Sequence, residues 1–296
     1  MRVTPLDQAQ PRPRRVAVGE FDGVHLGHRE VIRGADTVLT FDPHPVAVIH
    51  PEAAPKLLTS TEVKADLVAS LGVEEMVVIS FDRSFAQLPP QEFIDRVLIE
   101  RLDAREVAIG ENFRFGHRAA GDPDLLRSQS AFETRVAPLV EVEGEIVSSS
   151  HIRGLVLAGD VELAARLLGD RFQLRGTVVE GDHRGRDLGF PTANLVPDDR
   201  LVCPGHGVYA CLANDRCAAV NVGVRPTFES GRGVLVEAYI ADFDEDLYGR
   251  ELRLEFLTRL RGERRFPSGE ALVAQMRRDV VKAREACRRS ATVPRR

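Results

Sequence analysis

Short apolar runs alternate with amphipathic stretches in the chain up to Gly169. One apolar stripe begins at Thr61, a candidate N-cap, and ends at Gly72, while Pro90 opens another and Asp160–Leu168 predicts a third helix. This alternation predicts a parallel sheet covered by helices on both faces. The predicted strands are Val16–Val18, Val38–Phe41, Met76–Ile79, Val107–Ile109 and Val136–Val140.

The pattern changes from Phe172 onward, where short β-type runs follow one another with only turn residues between them. These runs are Leu174–Val179, Val208–Leu212, Cys217–Val222, Val234–Ile240 and Leu252–Leu257. Successive strands without intervening helices predict an antiparallel barrel or sandwich. A single closing helix follows, capped by Ser268, and its expected buried face is Leu272, Val273, Met276, Val280 and Ala283. We therefore expect two domains, residues 1–169 and 172–296.

Composition supports a two-domain globular chain and excludes several classes of protein. The chain has 296 residues, of which 43% are hydrophobic and 29% charged, and its net charge of −5 gives no reason to expect nucleic-acid or membrane-surface binding. No signal peptide or apolar run of membrane-spanning length is present, so we expect a cytoplasmic protein. Nothing in the pattern specifies an oligomeric state.

The four cysteines lack the spacing of a metal site. Cys203, Cys211, Cys217 and Cys287 show neither Cys-x-x-Cys spacing nor a nearby histidine pattern. We expect free thiols in a reducing cytosol.

A turn after the first predicted strand has the properties of a phosphate site. It starts at Gly19, and a helix begins close to His25. Helix N-termini present free N–H groups and a positive dipole end, so they bind phosphates. Gly23 and Gly27 allow the backbone to approach a phosphate closely. His25 and His28 lie three residues apart on one helical face, so both can donate to the same phosphate oxygens.

This arrangement suits nucleotidyl transfer, which needs alignment and charge stabilisation at an α-phosphate and no protein nucleophile. Two other interpretations of the histidine pair are open. The pair could simply be two surface histidines at a helix start. It could also bind a metal ion, although a third ligand has no obvious source.

The stretch Gly19–His28 resembles the His-x-Gly-His nucleotidyltransferase superfamily, and within it residues 21–25 resemble bacterial FAD synthetases. Thr40–Pro45, Gly110–Gly116 and Ser148–Arg153 match further blocks of that family in the expected order. The resemblance implies catalytic roles for His25 and His28. It implies ATP or phosphate contacts for Gly19, Phe21, Gly23, Gly27, Asp42, Asn112, Ser149, Ser150 and Arg153, and flavin contacts for Phe113 and Phe115.

Single members of this set also have ordinary structural interpretations. Asp42 follows a predicted strand at the sheet edge where open α/β folds bind ligands, and there it could orient ATP or Mg²⁺. Asp42-Pro43 is equally a common turn, and Ser149 and Ser150 could simply cap a helix.

The chain departs from the family in one place. Only ten residues, Arg29–Val38, separate the histidine turn from the next strand, where the family usually has a longer helix. The helix must therefore have roughly two turns. The shortening puts the outer wall of the sheet in doubt.

A second phosphate-handling motif lies in the β-rich half. Gly-rich backbone near Arg184, Arg186 and Gly189 can wrap nucleotide phosphates. The Thr192 hydroxyl and the Asn194 amide oxygen are hard oxygen ligands suited to Mg²⁺ held with ATP phosphates.

A hydroxyl that accepts a phosphoryl group needs a base, and Glu237, in the middle of a predicted strand, is the candidate. The alternative is a solvent-facing strand glutamate.

Gly176–Gly181 and Arg184–Asn194 closely resemble the riboflavin kinase domain, as do later blocks that end at Arg250. The resemblance spans nearly all of residues 172–287, and it implies a flavin contact for Arg250. Tyr239 stands where the family often has histidine.

Together the two resemblances imply an α/β nucleotidyltransferase domain and a β-barrel kinase domain in one bifunctional riboflavin kinase/FAD synthetase. Its expected substrates are ATP, riboflavin and FMN, and both steps would need Mg²⁺. Two alternatives are a kinase with a weakened adenylyltransferase and a non-catalytic flavin-binding or regulatory protein.

Overall fold

The computed structural model describes residues 1–180, 190–224, 234–243 and 245–291. The chain divides into two compact units, Met1–Ser149 and Ser150–Arg296. The second unit contains the barrel and the two helices that precede it. The domain ranges 1–169 and 172–296 stay a prediction.

The first unit contains a six-stranded sheet in which every strand pair is parallel. The strands are β1 (Arg2–Pro5), β2 (Arg14–Val18), β3 (Thr37–Asp42), β4 (Glu75–Ser80), β5 (Ala104–Gly110) and β6 (Glu133–Ala137), and a small hairpin follows with β7 (Glu141–Val142) and β8 (Glu145–Ile146). Their order in the sheet is β1-β4-β3-β2-β5-β6. The predicted Rossmann-like sheet is confirmed.

Helices cover both faces of this sheet. They are α1 (Leu26–Ile32), α2 (Pro45–Ile49), α3 (Thr61–Ser70), α4 (Pro90–Phe93, continued as a π-helix over Ile94–Arg101) and α5 (Pro123–Arg127). Because side chains alternate along a strand, Val16 and Val18 pack in one apolar cluster with Leu98, whereas Ala17 packs in another with Val31 and Val68. The predicted two-turn helix is α1.

Two local predictions for this unit need correction. Thr61 does not cap α3: the Ser60 hydroxyl accepts from the Val63 amide, and Thr61 donates instead to the Asp42 carboxylate across 2.8 Å. The last strand ends at Ala137 rather than Val140, since it pairs with β5 only that far.

The second unit is a closed antiparallel barrel with helices packed on it. Its elements are α6 (Ser149–Ala158, the first residue of which belongs to the first unit), α7 (Val161–Leu168), β9 (Gln173–Val179), β10 (Ala193–Leu195), β11 (Gly207–Ala213), β12 (Arg216–Val224), β13 (Val234–Ile240), β14 (Glu251–Arg261) and α8 (Gly269–Ala291). The barrel order is β10-β13-β12-β11-β14-β9, and β9 pairs with β10 to close it. The predicted barrel with a C-terminal helix is confirmed.

The closing helix α8 is capped as expected, because the Ala271 amide donates to the Ser268 hydroxyl across 3.3 Å. Its buried face is different from the predicted one. Gln275, Asp279, Ala283 and Ala286 are buried, while the apolar residues at 272, 273, 276 and 280 are half-buried. Asp279 can be buried because the guanidinium of Arg261, on β14, lies 2.9 Å from its carboxylate and neutralises its charge where α8 packs on the barrel.

The cysteine prediction is also corrected. Cys217 on β12 and Cys287 on α8 form a disulfide, with their Cα atoms 5.8 Å apart. They meet because α8 packs against the outer face of this part of the barrel, which their separation of 70 residues does not reveal. Cys203 and Cys211 are not part of this disulfide and keep their thiols.

Candidate functional site

The predicted phosphate turn links β2 to α1. His25 caps α1, and its Nδ1 accepts from the His28 amide across 3.2 Å. Gly23 has a φ of +86°, which a glycine adopts without strain, but Phe21 and Val24 also have positive φ values of +52° and +43°. Left-handed backbone at non-glycine residues concentrates at functional sites. The turn therefore has the backbone features of a binding loop.

The two histidines lie against each other. Their rings stack with centroids 3.5 Å apart, and the ring of Phe21 packs edge-on to His28 at 5.3 Å. A Cβ on Gly27 would approach the His25 ring to 3.3 Å, which accounts for glycine there.

Burial lowers the pKa of His25 to about 4, and burial together with the charges of His25 and Lys64 lowers the pKa of His28 well below its usual value. Both rings are therefore neutral at pH 7. Because His25 Nδ1 is an acceptor, its N–H is on Nε2. The pair offers neutral N–H donors rather than positive charge.

Asp22 locks the turn to the loop that precedes α3. Its carboxylate accepts from the backbone amides of Leu58 and Thr59, with distances of 2.8 and 3.1 Å to Oδ1. The Ser149 hydroxyl donates to the Asp22 carbonyl across 2.9 Å, so one predicted phosphate contact lies beside the turn. Asp22 has no role among the predicted site residues, although it stands inside the motif.

The other predicted ligands of the first unit occupy strand ends. Gly19 follows β2 and donates its amide to the Leu39 carbonyl across 3.1 Å. Asp42 ends β3 and Asn112 follows β5, and both are exposed. Carboxyl ends of neighbouring parallel strands form the ligand-binding edge of such sheets.

Phe113 and Phe115 are placed differently from each other. Phe115 is 6% exposed and packs in the core against Phe93, with ring centroids 5.4 Å apart. Phe113 is half-buried and stacks on Phe115 at 5.6 Å. Phe113 is thus the accessible ring of the two.

Ser150 and Arg153 lie on α6 in the second unit. Arg153 Nη1 donates to the Ser150 hydroxyl across 3.5 Å, at the limit of a hydrogen bond. Their predicted phosphate contacts stay predictions.

The barrel places the predicted kinase residues side by side. Asn194 of β10 and Asn221 of β12 both lie directly opposite Glu237 of β13, so the three side chains share one face of three adjacent strands. Val236 and Ala238, on the other face, have no exposed surface. Asn221 Nδ2 donates to Glu237 Oε2 across 3.2 Å.

Three further features flank this row. Thr192 immediately precedes β10, and Phe190 packs edge-on to Tyr239 with ring centroids 5.1 Å apart. Tyr239 lies two residues after Glu237 on the same face. Arg250 is exposed at a turn, with its guanidinium 3.9 Å from Glu245. Arg184, Arg186 and Gly189 lie outside the described residues.

Two family matches cover most of the chain. The FAD synthetase family matches residues 7–151, and the riboflavin kinase family matches residues 168–287. The fold and these matches define a nucleotidyltransferase domain joined to a barrel kinase domain. The chain belongs to the bifunctional riboflavin kinase/FMN adenylyltransferase family.

Its similarity to individual proteins extends over nearly the whole chain. It is 35% identical to the bifunctional riboflavin kinase/FMN adenylyltransferase of Listeria monocytogenes, with 89% of each chain covered. It is 37% identical to that of Bacillus subtilis, over 90% of each, and 36% identical to that of Escherichia coli, over 95% of each. A crystal structure described as a macrolide-efflux protein from Streptococcus pneumoniae superposes with a TM-score of 0.87 at 31% identity, covering 96% of this chain and 99% of that one.

Across the described residues, no helix combines the length and the apolar character needed to span a membrane. The same residues contain no group of three or more His, Cys, Asp or Glu side chains arranged to hold a metal ion.

Proposed function

We propose that the chain converts riboflavin to FMN in its barrel and FMN to FAD in its parallel-sheet unit. In the first step the riboflavin 5′-hydroxyl attacks the γ-phosphorus of ATP, the bond to the β-phosphate oxygen breaks, and ADP leaves. In the second step an FMN phosphate oxygen attacks the α-phosphorus of another ATP, and pyrophosphate leaves. The observation that supports this most directly is the row of Asn194, Glu237 and Asn221 in a chain that matches both families.

In the kinase step, Glu237 accepts the proton of the riboflavin hydroxyl. Asn221 holds one carboxylate oxygen and leaves the other for the substrate. Asn194 is 8% exposed and lies beside the base, and its amide oxygen and the Thr192 hydroxyl are hard donors that fit Mg²⁺. We therefore assign Thr192 and Asn194 to the MgATP substrate complex. The cation neutralises phosphate charge when bound.

In the adenylyl transfer, His25 and His28 donate N–H groups to the α-phosphate without bringing positive charge. The N-terminus of α1 adds its backbone amides, and Gly23 keeps the approach open. Asp42 and Asn112 at the sheet edge hold ATP, and the half-buried ring of Phe113 packs on the flavin.

The short helix α1 does not favour a weakened adenylyltransferase. Arg135 of β6 donates to the carbonyls of Glu30, Val31 and Arg33, across 3.1, 2.8 and 2.7 Å. These are the groups that a helix end leaves without intrahelical partners. The Arg135 side chain thus supplies the hydrogen bonds that a further turn of helix would have made. These bonds hold α1 in place, so its phosphate-binding N-terminus stays in position.

Product analysis tests both steps and both alternatives. The full chain is incubated with riboflavin and MgATP, and flavins are separated by chromatography over time. We expect FMN first and FAD after it, FAD directly from added FMN, and loss of both products with excess chelator. FMN without FAD would identify a kinase with an inactive transferase, and no conversion with retained flavin binding would identify a binding protein.

Because both steps consume ATP, we place the enzyme in the cytoplasm.

A further inference from the structure

Lys64 is a buried lysine beneath the histidine turn that no step above uses. It lies on α3 and is 6% exposed. Its ammonium donates to the Glu20 carbonyl across 2.7 Å and to the Thr40 hydroxyl across 3.2 Å. An ammonium has three donors, and these two are the partners found among the described residues. A buried lysine needs partners, so this position calls for an explanation.

The two partners stand at the ends of adjacent strands. Glu20 begins the turn after β2, and Thr40 is near the end of β3. The Thr40 hydroxyl also donates to the Glu20 carbonyl across 3.1 Å, so ammonium and hydroxyl share one acceptor. This carbonyl immediately precedes Phe21, the first residue with positive φ in the turn. Lys64 therefore fixes the backbone at the position where the residues with positive φ begin.

The positive charge of Lys64 is offset by the carboxylates of Asp22 and Asp42 and not by the two neutral histidines. Burial lowers the pKa of Lys64, whereas the carboxylates of Glu20, Asp22 and Asp42 raise it. Burial raises the pKa of Glu20 to about 8, so at pH 7 its carboxyl is mostly protonated. Its Oε1 is buried without a hydrogen-bond partner among the described residues, and His44 Nε2 lies 4.0 Å from its Oε2.

Another buried cation of this unit has its own counter-ion. Arg14 is 2% exposed and pairs with Glu75 at 2.5 Å. Within the part of the chain that the structure describes, Lys64 forms no such direct ion pair, although the charges of Asp22 and Asp42 act on it. Its positive charge acts on His28 and contributes to the low pKa of that ring. Lys64 is thus a source of positive potential for the phosphate turn.

We propose that Lys64 is a positioning residue for adenylyl transfer. It holds the Glu20 carbonyl and the Thr40 hydroxyl so that the turn presents His25 and His28 to the α-phosphate, and it supplies the positive charge that the neutral rings do not. This inference rests on the proposed assignment of FAD formation to the first unit.

The test uses the full chain with Lys64→Met, which keeps the length of the side chain and removes its charge. We expect kcat for FAD formation from FMN to fall on the order of 10²-fold, as for loss of one donor that stabilises a transition state, with a much smaller change in KM for FMN. Phosphorylation of riboflavin by the same protein should continue at the wild-type rate. Lys56→Met, at an exposed lysine of the preceding segment, is the matched control and should leave both rates unchanged.

Two further variants keep the proposal testable if Lys64→Met does not fold. Thr40→Val removes the hydroxyl that shares the Glu20 carbonyl and should lower the same kcat by a smaller factor. Lys64→Ala should regain part of its rate of FAD formation when ethylammonium is added, but not when a neutral alcohol of similar size is added. A lysine with a purely structural role would not give this response. Wild-type kcat in Lys64→Met, or no rescue by ethylammonium in a folded Lys64→Ala, overturns the proposal. A wild-type chain that makes no FAD at all overturns the underlying assignment instead.

Discussion

Asn221 on β12 donates its side-chain amide to the carboxylate of Glu237 on β13, with 3.2 Å between Nδ2 and Oε2. The two residues are direct cross-strand partners, so the bond is fixed by the barrel and not by a loop. A base must be held in hydrogen-bond reach of the proton that it accepts. The barrel register thus fixes one carboxylate oxygen of Glu237, and the described residues make no hydrogen bond to the other.

Glu237→Gln should stop FMN formation. Glutamine keeps the shape of the side chain but loses the basic carboxylate, and loss of a general base costs about 10²–10⁴-fold in rate. Supplied with riboflavin, the variant should make almost no FMN or FAD, whereas supplied with FMN it should make FAD at the wild-type rate. Glu251→Gln, at an exposed strand glutamate of the same barrel, is the control. Near-normal phosphorylation by Glu237→Gln would show that this residue is an ordinary strand glutamate.

Asn221→Leu should lower the same rate by less. The change removes the donor to the carboxylate while Glu237 stays in place, and a hydrogen bond to a charged group contributes about 1.5–3 kcal/mol, equivalent to about 10- to 10²-fold in rate. Steady-state kinetics of riboflavin phosphorylation should show the loss in kcat. If Asn221→Leu lowers the rate equally in a Glu237→Gln background, the two residues act independently and the orienting role is wrong.

His28→Ala should have the opposite effect to Glu237→Gln, because it should abolish FAD formation and spare FMN formation. The substitution removes a donor that acts mainly in the transition state of adenylyl transfer, where such a loss costs on the order of 10²–10³-fold. FAD formation from FMN should collapse, while the appearance of FMN from riboflavin continues. A parallel fall of both rates in a protein with an unchanged circular dichroism spectrum would contradict the assignment of His28.

The strand and helix pattern of both units could be predicted from the sequence wherever an element carries its own apolar period. β10 could not, because its three residues Ala193–Leu195 lie inside the phosphate motif and gain strand structure only by pairing with β9 and β13. β1 was missed for a similar reason. It is an exposed edge strand that ends in Pro5, and only its pairing with β4 makes it a strand.

The candidate sites were predicted from motifs, and their supporting residues were not. The sequence does indicate that Lys64 is buried, because it lies four residues before Val68 on the apolar face of α3. It is also one of only three lysines in the chain. For Arg135 the sequence gives no such indication: it lies on an edge strand, and its three carbonyl partners are about a hundred residues earlier in the sequence. Contacts of such long range are set by the tertiary fold.

Arg135→Met should destabilise the first unit selectively. It keeps the length of the side chain but leaves the carbonyls at the end of α1 without their donor, and unsatisfied groups of this kind cost about 1–3 kcal/mol each when buried. We expect hydrogen exchange in α1 to become faster and the FAD-forming activity to be lost at a lower temperature than the kinase activity. Arg127→Met, which removes an exposed pair with Asp124, should change neither. Equal effects of the two variants would show that Arg135 is an ordinary surface arginine.

Glu75 should make the first unit sensitive to acid. Burial alone would raise its pKa, but the hydrogen bonds from Arg14 and Thr4 and the charges of Arg14 and Arg2 lower it to about 2. A carboxylate with a depressed pKa adds stability that is complete above its unfolded value of 4.5 and is lost as the pH falls from there toward 2. Glu75→Gln should therefore destabilise this sheet at pH 7 by about 3–5 kcal/mol, because Arg14 keeps its charge without a counter-ion.

Hydrogen exchange of strand Glu75–Ser80 at pH 7 and pH 3.5 measures the effect where it arises. The wild type should lose protection between the two pH values, and the variant should lose less. An equal loss in both proteins would mean that other carboxylates control the acid response.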